Sequence, residues 1–186
     1  MSDDMGLVFK ALRYSAEKHN DQRRKDSRSS PYINHPIQVA DTLWQVGGVR
    51  DAAVLAAAIL HDTIEDTDAT PAEIEREFGR DVLGLVMEVT DDRSLPQPVR
   101  KQLQIEHATG LSTRAKWIKL ADKLCNISDL IKFPPDDWSL QKKQEYLLWT
   151  EKVVQGLRGA NKALEERYDK ALKEGKLKMG VSKTGR

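Results

Sequence analysis

Most of what would mark a secreted, membrane-bound or nucleic-acid-binding protein is missing from these 186 residues. There is one cysteine, Cys125, so no internal disulfide can form, and the start MSDDMGLVFK shows no basic region leading into an apolar run. The expected compartment is therefore the reducing cytoplasm. Long hydrophobic runs are absent too: the most apolar stretch, Ala52 to Leu60, is too short to cross a bilayer, which argues against a membrane partner. No sign of charge dominates, since 30 Lys and Arg face 29 Asp and Glu for a formal net charge of +1. Global attraction to nucleic acid is thereby excluded. Aromatics supply only 6% of residues, and at roughly 150 residues per domain the length allows one domain with short appendages.

What is present is helical periodicity. Val8, Ala11, Leu12, Ser15 and Ala16 open a pattern that recurs along the chain, while strand-like alternation is scarcely visible. The expected fold is all-α, a single-domain bundle of about eight to ten helices. A polar loop, Asn20 to Ser30, leads into Pro31-Tyr32 and then a helix from Pro36 to Val46 stopped by Gly47-Gly48. The next helix is expected over Asp51 to Glu65, and its all-round apolar middle, AAVLAAAIL, belongs at the centre of the bundle. Thr70-Pro71-Ala72-Glu73 has the form of a capping box, and Gly79 ends the helix it starts. Helices over Asp81 to Thr90, Pro98 to His107, Thr113 to Leu130, Ser139 to Leu157 and Asn161 to Leu172 complete the set. The domain is expected over 1–172, followed by a basic, mobile tail over 173–186.

The informative segment is Leu60-His61-Asp62-Thr63-Ile64-Glu65-Asp66, at the end of the buried helix. On a continuous helix with His61 at zero, Glu65 falls at about 40°, Asp62 at about 100° and Asp66 at about 140°. Several carboxylates on one side of a greasy helix need a cation or strong donors to neutralise them. An adjacent His-Asp pair means little alone, since this composition produces about 0.4 by chance per chain. Its setting counts for more. His35 sits just before the helix-starting Pro36, and Asp122 lies within the apolar run Trp117 to Leu124, sharing a face with Asn126 and Asp129. Taken singly, His35 reads equally as a helix cap, Asp122 as a surface partner of Lys119 or Lys123, and Glu65 and Asp66 as a solvated helix end. Together they supply the two imidazoles and two carboxylates of a mixed site that suits Mn²⁺, Fe²⁺ or Zn²⁺ and excludes thiolate-based structural zinc.

With His35, His61-Asp62 and Asp122 in place, the chain resembles the HD-domain metal-dependent phosphohydrolases. The wider phrases Arg24-Lys25, Pro31-Tyr32-Ile33-Asn34-His35-Pro36, Ala58 to Thr67, Phe78-Gly79, Val89-Thr90-Asp91-Asp92 and Lys119 to Asn126 are similar to the hydrolase domain of the RelA/SpoT family. Its small stand-alone alarmone hydrolases of the metazoan type are the nearest likeness, over roughly Gly6 to Tyr168. The resemblance implies hydrolysis of the 3′-pyrophosphate of (p)ppGpp to GDP or GTP and pyrophosphate, with Mn²⁺ as the usual metal. It implies His35, His61, Asp62 and Asp122 as metal ligands and Glu65 and Asp66 as the catalytic pair. Arg24, Lys25, Tyr32, Asn126, Lys142 and Tyr146 would meet the small-molecule substrate.

Two departures stand out. Asp26-Ser27-Arg28-Ser29-Ser30 replaces a loop in which many relatives carry glycine, and Cys125 stands where bifunctional members commonly have histidine. Cys125 reads as a packing residue on an apolar face. The synthetase domain of the long enzymes is absent, so transfer of pyrophosphate from ATP is not expected. Two other readings remain open. One keeps the chemistry but acts on another nucleotide, such as the 2′-phosphate of NADPH; the other is a non-catalytic nucleotide-binding helical module, against which the Glu65-Asp66 pair argues.

Overall fold

A computed structural model describes residues 4–181. Among these residues nine α-helices and one 3₁₀ turn form the fold, and the sole β-type pairing is an isolated bridge between Arg23 and Pro31. The helices are α1 Asp4–Lys18, α2 Asn34–Gln45, α3 Ala52–Leu60, α4 Thr63–Asp66, α5 Pro71–Val89, α6 Gln97–His107, α7 Thr113–Lys132, α8 Leu140–Gln155 and α9 Lys162–Lys178. None is long and apolar enough to span a membrane. The expected all-α bundle is what forms.

Helix α3 is the axis, buried from Val54 to Leu60 and packed against α1, α2, α5 and α7. Asp51 starts it by accepting from the backbone N–H groups of Ala53 and Val54. Helix α7 is the second axis, packed on α2, α5, α8 and α9. The capping box at Thr70 forms as expected, with Glu73 returning a bond to the Thr70 N–H. Gly79 then breaks α5 at φ 83°, a left-handed conformation that suits glycine, so the two expected helices run on with a kink.

Two expectations are corrected. The helix expected over Asp51 to Glu65 stops at Leu60 and resumes as the single turn α4. The cause is local competition: the His61 ring and the Thr63 hydroxyl bond the carbonyls of Ala58 and Leu60, both at 2.7 Å, and so take over acceptors at the end of α3. The helix expected to end at Leu172 continues to Lys178, where a mobile tail was expected. Its lysines alone would not hold it. Gly175 lets α9 lie so close to α7 and α8 that a Cβ there would stand 3.2 Å from Ile131 and Leu147, and Met179 is buried. The last part of that expected tail, 182–186, lies outside the described residues.

Candidate functional site

The break after α3 turns His61 and Asp62 toward α2 and α7. His61 is buried, and its Nδ1 donates to the Ala58 carbonyl oxygen, which can only accept. That leaves the Nε2 lone pair aimed inward, with no hydrogen-bond partner of its own. It lies 3.1 Å from Asp62 Oδ2 and 3.8 Å from Asp122 Oδ1. From the first turn of α2, the buried His35 places its Nε2 3.1 Å from the same Asp122 oxygen and 4.0 Å from Asp62 Oδ2. The cap reading of His35 is not what forms, because Ile33 is the N-cap residue and no side chain caps the helix.

Two imidazole nitrogens and two carboxylates thus point at one another below the surface. Atoms of His35, His61 and Asp62 all lie within 4.8 Å of each other, and Asp122 joins them through the two imidazoles. Burial favours neutral groups here, yet it loses at three of the four. His61 keeps a pKa above its ordinary value because Asp62 and Asp122 outweigh desolvation. Burial likewise acts to raise Asp62 and Asp122, but His61 and His35 hold the first, and chiefly Lys123 the second, well below the carboxylate range. At His35 desolvation prevails and the pKa is lowered. An inward lone pair facing anionic oxygens must share its space with a positive charge. A divalent cation fits this donor set, and among the described residues this cluster is the one able to hold it.

Asp122 is braced from its other side. Its oxygens accept from Asn126 Nδ2 at 2.5 Å and from Lys123 Nζ at 3.1 Å. The expected alternative partner Lys123 is therefore real, but the pair is buried rather than superficial. Lys119 turns away to the Val89 carbonyl at 2.7 Å, near Asp91. Arg24 bonds both Asn126 and Asp129 at 3.1 Å and stands 5.7 Å over the Tyr32 ring. Tyr32 itself points inward: its hydroxyl donates to Asp62 at 2.7 Å and Asp66 at 3.0 Å, and its ring stacks on His19.

Arg24 and Tyr32 are brought together by the loop between them, which closes through Arg24 N–H to Ser30 O at 2.9 Å and Tyr32 N–H to Gln22 O at 3.1 Å. Asp26 organises its tip by accepting from the Arg28 and Ser30 N–H groups and the Ser30 hydroxyl. Within this loop Ser29 adopts φ 48°, in the left-handed region.

Above the buried cluster opens a cavity of about 420 Å³. Arg24, Lys25, Tyr32, His35, His61, Asp62, Glu65, Asp66, Asp122, Asn126 and Tyr146 all line it, so most of the expected site residues share one space. Lys142 does not; it stands outside, its ammonium 4.5 Å from the Trp138 ring that forms part of the wall. Tyr146 packs edge-on to Trp138, and burial pushes its hydroxyl up to about 12. Cys125 is buried beside Thr42 with a thiol pushed up to about 12, as suits a packing residue.

The structure adds residues that spacing did not mark. Glu65 accepts from the Asp91 N–H at 3.1 Å and meets Arg93 and Arg100, each at 3.2 Å. The only signal for Arg93 was its place immediately after Val89-Thr90-Asp91-Asp92, and for Arg100 there was none, since α6 buries no residue fully. Trp138 lies in a loop without periodicity.

An HD-domain family model matches residues 11–150. A protein of Xenopus tropicalis named guanosine-3′,5′-bis(diphosphate) 3′-pyrophosphohydrolase MESH1 is 54% identical over 91% of this chain and 94% of its own length. The human protein of the same name is 50% identical over 89% of this chain and 93% of its own. The chain belongs to the MESH1 family of HD-domain proteins. Among solved structures, one described as "A metazoan ortholog of SpoT hydrolyzes ppGpp and plays a role in starvation responses" matches with TM-score 0.88 and 48% identity, covering 90% of this chain and 94% of the other. Membership in the MESH1 family agrees with the resemblance read from the sequence phrases.

Proposed function

We propose that this MESH1-family chain removes the 3′-pyrophosphate of ppGpp and pppGpp by hydrolysis, yielding GDP or GTP and pyrophosphate and so lowering alarmone level. The observation that carries the reading is the convergence of His35, His61, Asp62 and Asp122 beneath a cavity that also holds Glu65 and Asp66. Those four residues are the proposed ligands, and Mn²⁺ is the proposed metal, a choice consistent with mixed nitrogen and oxygen donors. When bound, a divalent ion offsets phosphate charge and acidifies water.

The remaining work falls to the side chains. Glu65 and Asp66 accept the proton of the attacking water and return one to the ribose 3′-oxygen as the phosphorus–oxygen bond breaks. Tyr32 holds Asp66 in line with Asp62 through its shared hydroxyl. Arg24 and Lys25 meet phosphate or frame the base, Asn126 links Arg24 to Asp122, and Tyr146 supplies an apolar face for the purine. Lys142 serves from the rim. This chemistry occupies one helical unit, placed in the cytoplasm where a nucleotide substrate is found.

Incubating the Mn²⁺-loaded protein with ppGpp should release equimolar GDP and pyrophosphate. Absence of turnover at verified metal occupancy would overturn the reading and leave a binding module. NADPH assayed in parallel decides the substrate, with kcat/KM expected to favour ppGpp.

A further inference from the structure

Glu65 is held more tightly than a proton acceptor requires. Its Oε2 accepts from the Asp91 N–H, while its Oε1 lies 3.2 Å from both Arg93 Nε and Arg100 Nη1. Arg93 also pairs its Nη2 with Asp66, so a single guanidinium ties together both proposed catalytic acids. Lone pairs engaged in this way are poorly placed to receive a proton.

The two arginines differ in everything but that shared oxygen. Arg100 projects from α6 with 18% of its side chain exposed, and its Nε is buried. Arg93 sits on the connection between α5 and α6, 52% exposed, and lines the cavity. One is fixed by its helix and its burial; the other has open space beside it.

We propose that Arg93 is a phosphate ligand of the substrate, parked on Glu65 and Asp66 until an anion enters, and that Arg100 is a positioning residue that keeps Glu65 aimed at the cavity. This rests on the reading of Glu65 and Asp66 as the catalytic pair. A guanidinium gives up little in passing from carboxylate to phosphate oxygens, because both match its planar fork. The exchange moves one positive charge from the acids to the substrate. It therefore frees the acceptor lone pairs only when there is something to hydrolyse. Arg100, anchored on α6, stays behind and stops the relieved carboxylate from swinging away.

The test uses the full Mn²⁺-loaded chain, with metal content matched among variants, and reads both ppGpp turnover and calorimetric binding of inorganic pyrophosphate. Arg93→Gln should raise KM about tenfold while kcat changes less than about threefold, and Arg93→Lys should recover most of the loss. Arg100→Gln should do the opposite, lowering kcat at least about tenfold with KM within about threefold, and Arg100→Lys should restore part of it. Pyrophosphate should bind the double variant Glu65→Gln/Asp66→Asn about tenfold more tightly than wild type, and adding Arg93→Gln should remove most of that gain. An unchanged KM and pyrophosphate affinity in Arg93→Gln, or a gain that persists without Arg93, overturns the role of Arg93. A raised KM with normal kcat in Arg100→Gln overturns the positioning role. Because the pyrophosphate measurement needs no turnover, it judges Arg93 even if the catalytic reading fails.

Discussion

His35, His61, Asp62 and Asp122 come from α2, the turn after α3, and α7, all of them parts of the packed interior. Arg24, Lys25 and Arg93, which line the same cavity, come from connecting segments. The difference matches what each wall has to do. A coordination sphere tolerates little positional error, so its donors are best carried by buried helices that cannot shift without disturbing the core. Recognition of a flexible polyphosphate gains from side chains that can follow it, and loops supply them. Glu65 and Asp66 lie between the two: the short α4 ties them to the buried wall, while Tyr32 and Arg93 tie them to the loops.

The comparison can be broken hardest from the buried side. Asp122→Asn removes a proposed ligand shared by both imidazoles, and metal affinity should fall more than about 100-fold, with turnover at background. Metal analysis after dialysis, beside a pyrophosphate-release assay, checks both. Between the walls, Glu65→Gln/Asp66→Asn should cut kcat by about 10²–10⁴ while metal content stays at the wild-type level. Equal rates in variant and wild type would remove these acids from the chemistry. On the loop side, Arg24→Ala should weaken ppGpp binding about tenfold and leave metal content unchanged; an isothermal titration of each ligand separates the two. Smallest of all, Ser29→Gly should shift stability by less than about 1 kcal/mol, because relief of the left-handed backbone at φ 48° is offset by the freedom glycine adds to the unfolded chain. Thermal unfolding of the two proteins measures it.

Legibility followed the same division. The capping box at Thr70, the helix through Pro36, which begins two residues earlier than expected at Asn34, and the buried run Ala52 to Leu60 were readable, because they depend on neighbours within a turn or two. The four inward donors were legible once motif and setting were taken together. What escaped depends on partners far along the chain. The end of α3 at Leu60 comes from side chains taking its last carbonyls, which periodicity does not register. Helix α9 reaches Lys178 because Gly175 lies against α7 and α8 and Met179 beyond it is buried, its carbonyl accepting from Gln144 of α8, although the local composition resembles a solvated tail. Arg100 meets Glu65 across 35 positions from a helix with no fully buried residue, so no spacing rule could have paired them. Tyr32 lines the cavity as expected, but its bonds to two carboxylates, an orientation set by the closed loop before it, were not legible.

The proposed site places one divalent ion among two imidazoles and two carboxylates. Anomalous diffraction from crystals of the Mn²⁺-loaded protein, recorded at the manganese edge, tests it most directly. A single strong peak bounded by His35 Nε2, His61 Nε2, Asp62 and Asp122 is predicted. A peak held by other residues, or none in crystals whose manganese content has been verified, would contradict it.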